Sequence, residues 1–275
     1  MGSRLAHNLL ADGYPVTISN RSPGPVDPLA RAGATVAATP AQAAAQADIV
    51  LVAVADDSAA EAVWFDRHEG ILAGAPPGTL AIEASTLSPD LVRRLAAEAD
   101  RAGLRFLEAP MIGSRPQVEA RALVHLAGGP PDLLFAANDL LRVSAAHLHH
   151  VGGYGAAAAL KLIVNALLAT QVATIAELVS VARRAGLDPA VSAHVLTTLP
   201  VTSPAGARAI NVISTGDYSP NFPVRLAAKD LRYLTALAEQ VGAEAPMART
   251  ALAGYEQASA IGRADDDLHA IATLY

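Results

Sequence analysis

The chain predicts an α/β doubly wound sheet followed by an all-α domain. Three observations predict it. Short β-rich runs alternate with helical runs through the first half, the pattern of a sheet with helices on both faces. The alternation stops near residue 152, beyond the glycines at 152, 153 and 155, and no convincing strand follows. Residues 156–185 then read as one long interdomain helix, about 45 Å at ~1.5 Å per residue. The expected domains are 1–152 and 153–275.

Gly2 opens the first helical run, 2–12, and Pro15-Val16-Thr17-Ile18-Ser19 is the first strand. A helix over 40–46 leads to Asp48-Ile49-Val50-Leu51-Val52-Ala53-Val54, a nearly continuous apolar run of the kind buried on both faces. Helix 57–65, strand 79–84, helix 88–102 and strand 105–108 continue the alternation. Strand 122–126, helix 130–140 and strand 147–151 complete it. In the second half Gly186 is placed to stop the long helix. Further helices are expected at 189–198, 204–214, 224–241 and 246–262.

Composition narrows the function. Of 275 residues 52% are apolar and 4% aromatic, so a sizeable core is built mainly from Ala, Val, Leu and Ile. The net charge of −6 carries no long run, which argues against nucleic acid or an anionic membrane as partner. There is no cysteine, which excludes disulfides and thiol chemistry. No basic segment, apolar core and cleavage site occur in the order of a signal peptide. The apolar stretch 156–182 is interrupted by Lys161, Asn165, Gln171 and Glu177, costly in lipid, so it reads as a buried helix of a cytoplasmic protein.

Met1-Gly2 and the helix after them read as the end of a phosphate-binding turn. A Rossmann unit has a buried strand and two earlier glycines before that point. The first strand is therefore expected to be missing between strands 15–19 and 48–54, and the chain as given is expected to bind NADP(H) weakly or not at all. The next strand leads into Asn20-Arg21-Ser22. An arginine there accommodates the 2′-phosphate of NADP; the alternative is a solvated arginine in a polar loop.

Lys161 stands on a helix without a polar face, one turn before Asn165. A desolvated ammonium gives up its proton more readily, which suits a general acid; the alternative is a lysine that snorkels to solvent. The segment Glu108-Ala109-Pro110-Met111-Ile112-Gly113-Ser114-Arg115-Pro116-Gln117 follows a strand at its carboxyl end, where open α/β sheets bind ligands. The N–H groups of Gly113 and Ser114 could face an anion, or form an ordinary strand-to-helix loop. Ser85-Thr86 could contact the cofactor or cap the next helix. Lys229-Asp230 reads by itself as a surface charge pair. His147 and His149 share a strand face, with no further ligand specified, so no metal is expected. Trp64 and the tyrosines form no stacking array.

Together these segments resemble the β-hydroxyacid dehydrogenase family. Met1-Gly2 is similar to the end of its Gly-x-Gly-x-Met-Gly loop, and Asn20-Arg21-Ser22 to the Asn-Arg-Thr that accompanies NADP preference. The run 48–57 resembles the strand ending in Leu-Pro beside the cofactor, with Ala55 for the proline. Glu83-Ala84-Ser85-Thr86 resembles Asp-x-Ser-Thr, and 108–117 the Asp-Ala-Pro-Val-Ser-Gly-Gly substrate motif. Gly155 with Lys161-Leu162-Ile163-Val164-Asn165 resembles the catalytic helix, and Asn221-Phe222 through Lys229-Asp230-Leu231 the late Phe…Lys-Asp-Leu segment.

The resemblance implies hydride transfer between a nicotinamide cofactor, NADP with NAD possible, and a short hydroxy acid, aldehyde or keto acid. Lys161 and Asn165 are then catalytic. Ile112, Gly113 and Ser114 bind substrate; Gly2, Asn20, Arg21, Ser22, Val54, Ala55, Thr86 and Lys229 bind cofactor. A homodimer or higher homo-oligomer is expected. Ile112 replaces a substrate-binding serine, which points to a larger or more apolar substrate. Ala157, Val164 and Arg121 replace a glycine, an asparagine and a glycine. Two other readings stand beside this one: a catalytically silent dimeric scaffold, and a reductase of imines or larger carbonyls. Retention of Lys161 favours carbonyl chemistry.

Overall fold

The computed structural model describes residues 1–275. Two units are resolved, Met1–Lys161 and Leu162–Tyr275.

The first unit is α/β. In chain order it contains α1 (Gly2–Ala11), β1 (Thr17–Ile18), α2 (Val26–Arg31), β2 (Thr35–Val36), α3 (Pro40–Ala44), β3 (Ile49–Val52), α4 (Asp57–Phe65), α5 (Ile71–Gly74) and β4 (Leu80–Glu83). Then follow α6 (Pro89–Arg101), β5 (Arg105–Glu108), β6 (Met111–Ile112), α7 (Arg115–Glu119), β7 (Leu123–Gly128), α8 (Pro131–Arg142), β8 (Ala145–Gly152) and the start of α9 (Ala156–Arg184). The six-stranded sheet runs β3-β4-β5-β7-β6, with β8 also paired to β7. β3, β4 and β5 are parallel, whereas β7 is antiparallel to both β5 and β6. The sheet is therefore mixed. β1 and β2 form a separate parallel pair.

Alternation along the strands separates two cores. Leu80, Ile82 and Leu107 face Leu133, Ala137 and Leu141 of α8. Ala81 and Phe106 face the other way, toward Trp64 of α4 and Leu91, Leu95 and Ala99 of α6. By the same period Glu83 and Glu108 lie on that second face, at the carboxyl ends of adjacent strands and in register with each other. Asp56 accepts from Ala59 N at the start of α4, and Ser88 from Leu91 N at the start of α6, so both helices begin on the chain just beyond the carboxyl ends of β3 and β4.

The second unit is helical: most of α9, then α10 (Pro189–Thr198), α11 (Pro204–Thr215), α12 (Val224–Gln240) and α13 (Pro246–Ala258). A π-helical turn at Ser259–Arg263 and a 3-10 helix at Leu268–Leu274 follow. The helix expected over 246–262 thus ends early, broken where Gly262 takes φ 89°. Small residues of α9, among them Ala166, Ala169 and Ala176, let α11, α12 and α13 approach closely, and Tyr255 Oη donates to the Ala169 carbonyl at 3.1 Å. Gly186, at φ 78°, follows the end of α9.

The elements that the sequence did not signal are short: β2, β6, α2, α5 and α7. The expectation that α9 is buried on all sides needs correction. By length and composition it could cross a membrane. One face is the spine of the helical core, but Ile163, Leu167, Leu178 and Val181 are exposed because no element of the chain covers them.

Candidate active site

Gly2 is the first residue of α1, and a Cβ there would lie 3.4 Å from Cβ of Ala53, just past the end of β3. The free N–H groups at this helix start therefore open at the carboxyl edge of the sheet. The loops after β3 and β4 are stitched together beside it. Val54 N donates to Ser85 Oγ at 2.8 Å, and Ser88 N to Asp57 Oδ1 at 3.0 Å. Ala55 is exposed and Thr86 half-buried between these two links.

Glu83 anchors the stitching from within. Its Oε1 accepts from Ser85 N at 2.9 Å and its Oε2 from Trp64 Nε1 at 2.7 Å. Complete burial pushes this carboxyl up to about 7, against hydrogen bonds from the Ser85 side chain, Trp64 and the Ser85 backbone that favour its ionised form.

Asn20, Arg21 and Ser22 form an exposed turn. Asn20 Nδ2 closes it by donating to the Ser22 carbonyl at 2.9 Å and to Ser22 Oγ at 3.2 Å. Arg21 is exposed, and it is absent from the ion pairs that engage Arg4, Arg93, Arg94, Arg101 and Arg121. Helix N–H donors at the sheet edge together with a guanidinium clear of carboxylates fit a phosphorylated dinucleotide.

The substrate-motif loop leaves β5 and returns through β6. Ile112 is half-buried and in register with Val124. Gly113 has φ 122°, and a Cβ there would come within 2.8 Å of Leu123 Cδ2 and 2.9 Å of Gln117 Cβ, so glycine is required. Ser114 starts α7; its backbone N–H and its hydroxyl both donate to Gln117 Oε1 at 2.9 Å. His125, which sequence reasoning passed over, braces the loop: its Nδ1 lies 2.6 Å from the Ala109 carbonyl. Burial holds this imidazole below its ordinary value, and because its partner is a carbonyl oxygen, Nδ1 is the donor.

On α9, Lys161 and Asn165 are buried at 6% and 7% exposure. Asn165 Nδ2 donates to Asp230 Oδ2 at 2.5 Å, and Asp230 Oδ1 is 3.1 Å from Lys229 Nζ. Lys229 also lies 5.0 Å from the centre of the Tyr233 ring. The surface reading of Lys229-Asp230 is therefore wrong: the pair is 8% and 2% exposed. A signal was present. The apolar stripe Val224, Ala227, Ala228, Leu231 marks the buried face of α12, and Asp230, three residues after Ala227, falls on its flank. His147 and His149 stack 6.2 Å apart on β8, and no group of three potential metal ligands occurs.

Residues 1–153 match the NAD binding domain of 6-phosphogluconate dehydrogenase, and residues 155–275 the NAD-binding domain of NADP-dependent 3-hydroxyisobutyrate dehydrogenase. The chain is 30% identical over 271 residues to the chloroplastic glyoxylate/succinic semialdehyde reductase 2 of Arabidopsis thaliana, covering 98% of this chain and 75% of that protein. It is 30% identical to the NAD-dependent L-serine dehydrogenase of Pseudomonas aeruginosa, covering 100% and 94%. It is 32% identical to the human cytokine-like nuclear factor N-PAC, of which it spans only 50%. Among solved structures, Mycobacterium tuberculosis 3-hydroxyisobutyrate dehydrogenase with L-serine superposes with a TM-score of 0.89 at 28% identity, covering 100% of this chain and 95% of that one. Psf3 in complex with NADP+ and 2-OPP gives 0.91 at 25%, covering 100% and 96%. The fold is that of a nicotinamide-dependent oxidoreductase. The chain belongs to the β-hydroxyacid dehydrogenase family, the NAD(P)-dependent dehydrogenases and reductases that act on hydroxyl groups.

Proposed function

We propose that the protein interconverts a small hydroxy acid and its aldehyde or keto form, with Lys161 as general acid and base and NADP(H) as the preferred cofactor. The observation that carries this reading is the burial of Lys161 on α9 one turn from Asn165, whose amide is held by Asp230. A lysine without open access to water can pass its proton to a substrate oxygen rather than to solvent.

In the reducing direction Lys161 Nζ gives a proton to the carbonyl oxygen of the substrate; in the oxidising direction it takes the proton from the hydroxyl. Asn165 orients that oxygen. Its Nδ2 donates to Asp230, which fixes the orientation of the amide. Ile112 would form an apolar wall and Gly113 would lie at the substrate carboxylate, beside Ser114, whose N–H and hydroxyl are held by Gln117. Gly2, Val54, Ala55, Thr86 and Lys229 would hold the nicotinamide cofactor, which when bound would supply or accept the hydride. Asn20, Arg21 and Ser22 would hold the adenosine ribose end, where the guanidinium would meet a 2′-phosphate.

The substrates in the names of the relatives define the test: NADPH with glyoxylate or succinic semialdehyde, and NADP+ or NAD+ with L-serine or 3-hydroxyisobutyrate, followed by nicotinamide absorbance. Turnover of one or more supports the reading. Silence with all four, and turnover of a cyclic imine instead, contradicts it.

We also infer a homo-oligomer in the cytoplasm. The exposed apolar residues Ile163, Leu167, Leu178 and Val181 of α9 serve as a contact between copies rather than with lipid. Light scattering on detergent-free protein checks this; a monomer at micromolar concentration contradicts it.

A further inference from the structure

The joint between β5 and α9 is built around one carboxylate. Glu108 is 1% exposed at the last position of β5. Its Oε1 accepts from Gly155 N at 2.7 Å and Ala157 N at 3.1 Å, and its Oε2 from Ala158 N at 3.2 Å. The first N–H groups of a helix have no partner within it; here a strand supplies one. The negative charge also sits at the positive end of a 29-residue helix.

The surroundings are shaped to this contact. A Cβ on Gly128, the residue paired with Glu108 across β7, would lie 1.9 Å from Oε1. Tyr154 Oη donates to the Phe106 carbonyl at 2.8 Å and ties the residue before Gly155 to the same strand. The charged groups facing the carboxylate are the Arg93 guanidinium from α6, which favours its ionised form, and Glu83 in register on β4. Burial raises the Glu108 carboxyl from its ordinary value, while the three N–H donors and Arg93 oppose the rise.

We propose that Glu108 is a positioning residue that sets the placement of Lys161 relative to the substrate loop. Lys161 follows Ala158 by three residues, one helical turn. The chain that leaves Glu108 in the other direction is Ala109-Pro110-Met111-Ile112-Gly113. One side chain thus fixes the start of the helix that bears the proton donor and the root of the loop assigned to substrate. The inference rests on the role proposed for Lys161.

The test is Glu108→Gln, which keeps size but removes one acceptor and the charge, with Glu108→Asp as the conservative partner. Hydrogen exchange at amides 157–161 needs no substrate; tenfold or faster exchange is expected in Glu108→Gln. With NADPH and glyoxylate or succinic semialdehyde, kcat is expected to fall tenfold or more while the NADPH KM stays within twofold. Glu108→Asp is expected to recover most of kcat. Wild-type exchange in Glu108→Gln, or wild-type kcat while Lys161→Ala is inactive, overturns the proposal and leaves Lys161 as the acid. Activity in Lys161→Ala overturns the role of Lys161 instead, and the exchange result then reports on the joint alone. Should Glu108→Gln not fold, Gly128→Ala, which displaces Oε1, is read by the same two measurements, and an unchanged kcat there overturns the proposal.

Discussion

Trp64 Nε1 donates to Glu83 Oε2 at 2.7 Å, so the only tryptophan of the chain reports directly on a carboxyl buried beneath the loops after β3 and β4. Through its other oxygen Glu83 holds Ser85, and Ser85 holds Val54. The ionisation of this carboxyl, the position of the β3 and β4 loops and the emission of Trp64 are thereby linked.

Folding raises the Glu83 carboxyl from 4.5 to about 7. A group whose folded pKa is raised contributes stability that is full below the unfolded value and is lost as pH rises through the folded one. Here the loss falls between about 4.5 and 7 and amounts to about 3 kcal/mol. Urea unfolding followed by Trp64 emission at several pH values should show this decline in the wild type, and Glu83→Gln should remove most of it. An unchanged slope in the mutant would assign the decline to other groups.

Asp230 is predicted to matter for stability as well as for orientation. Asp230→Ala leaves the buried Lys229 without its counter-charge and Asn165 without its acceptor, which should lower unfolding free energy by about 3–5 kcal/mol. Denaturant titration measures it. A loss below about 1 kcal/mol would mean that Lys229 finds solvent when released.

Arg21→Ala should raise the NADPH KM tenfold or more and leave the NADH KM within twofold. Parallel measurements with the two cofactors decide the matter. Equal effects would remove Arg21 from the 2′-phosphate and leave it as a solvated loop residue.

Arg121 is the one non-glycine residue with positive φ, at 55°. Its guanidinium grips Asp12 at 2.6 and 2.9 Å, on the surface. Exposed pairs contribute little, whereas a side chain in the left-handed region is strained. Arg121→Gly should therefore melt at or above the wild-type temperature and Arg121→Ala below it. The reverse order in calorimetry would show that the ion pair outweighs the strain.

Long periodic elements were legible in the sequence because each carries many residues of the same pattern. Strand 105–108 and helices 57–65 and 189–198 were placed to the residue. β2 and β6 are two residues each, too short for any period, and exist through pairing with partners distant in sequence. The antiparallel β7 was hidden for the same reason, since strand direction is a property of the whole sheet. Lys161 and Asn165 announced themselves as polar residues in an apolar helix. Asp230, His125 and Glu108 did not, because each acts through a hydrogen bond to a residue 65, 16 or about 50 positions away, and a single sequence does not reveal such pairs.

The central claim is that Lys161 moves the proton. Lys161→Ala, assayed with NADPH and whichever of glyoxylate or succinic semialdehyde the wild type reduces, tests it most directly, with NADPH affinity measured in parallel by calorimetry. The predicted result is turnover reduced at least a hundredfold, with NADPH affinity within a few-fold of wild type. Turnover within a few-fold of wild type would contradict the account and send the search for the proton donor elsewhere in the site.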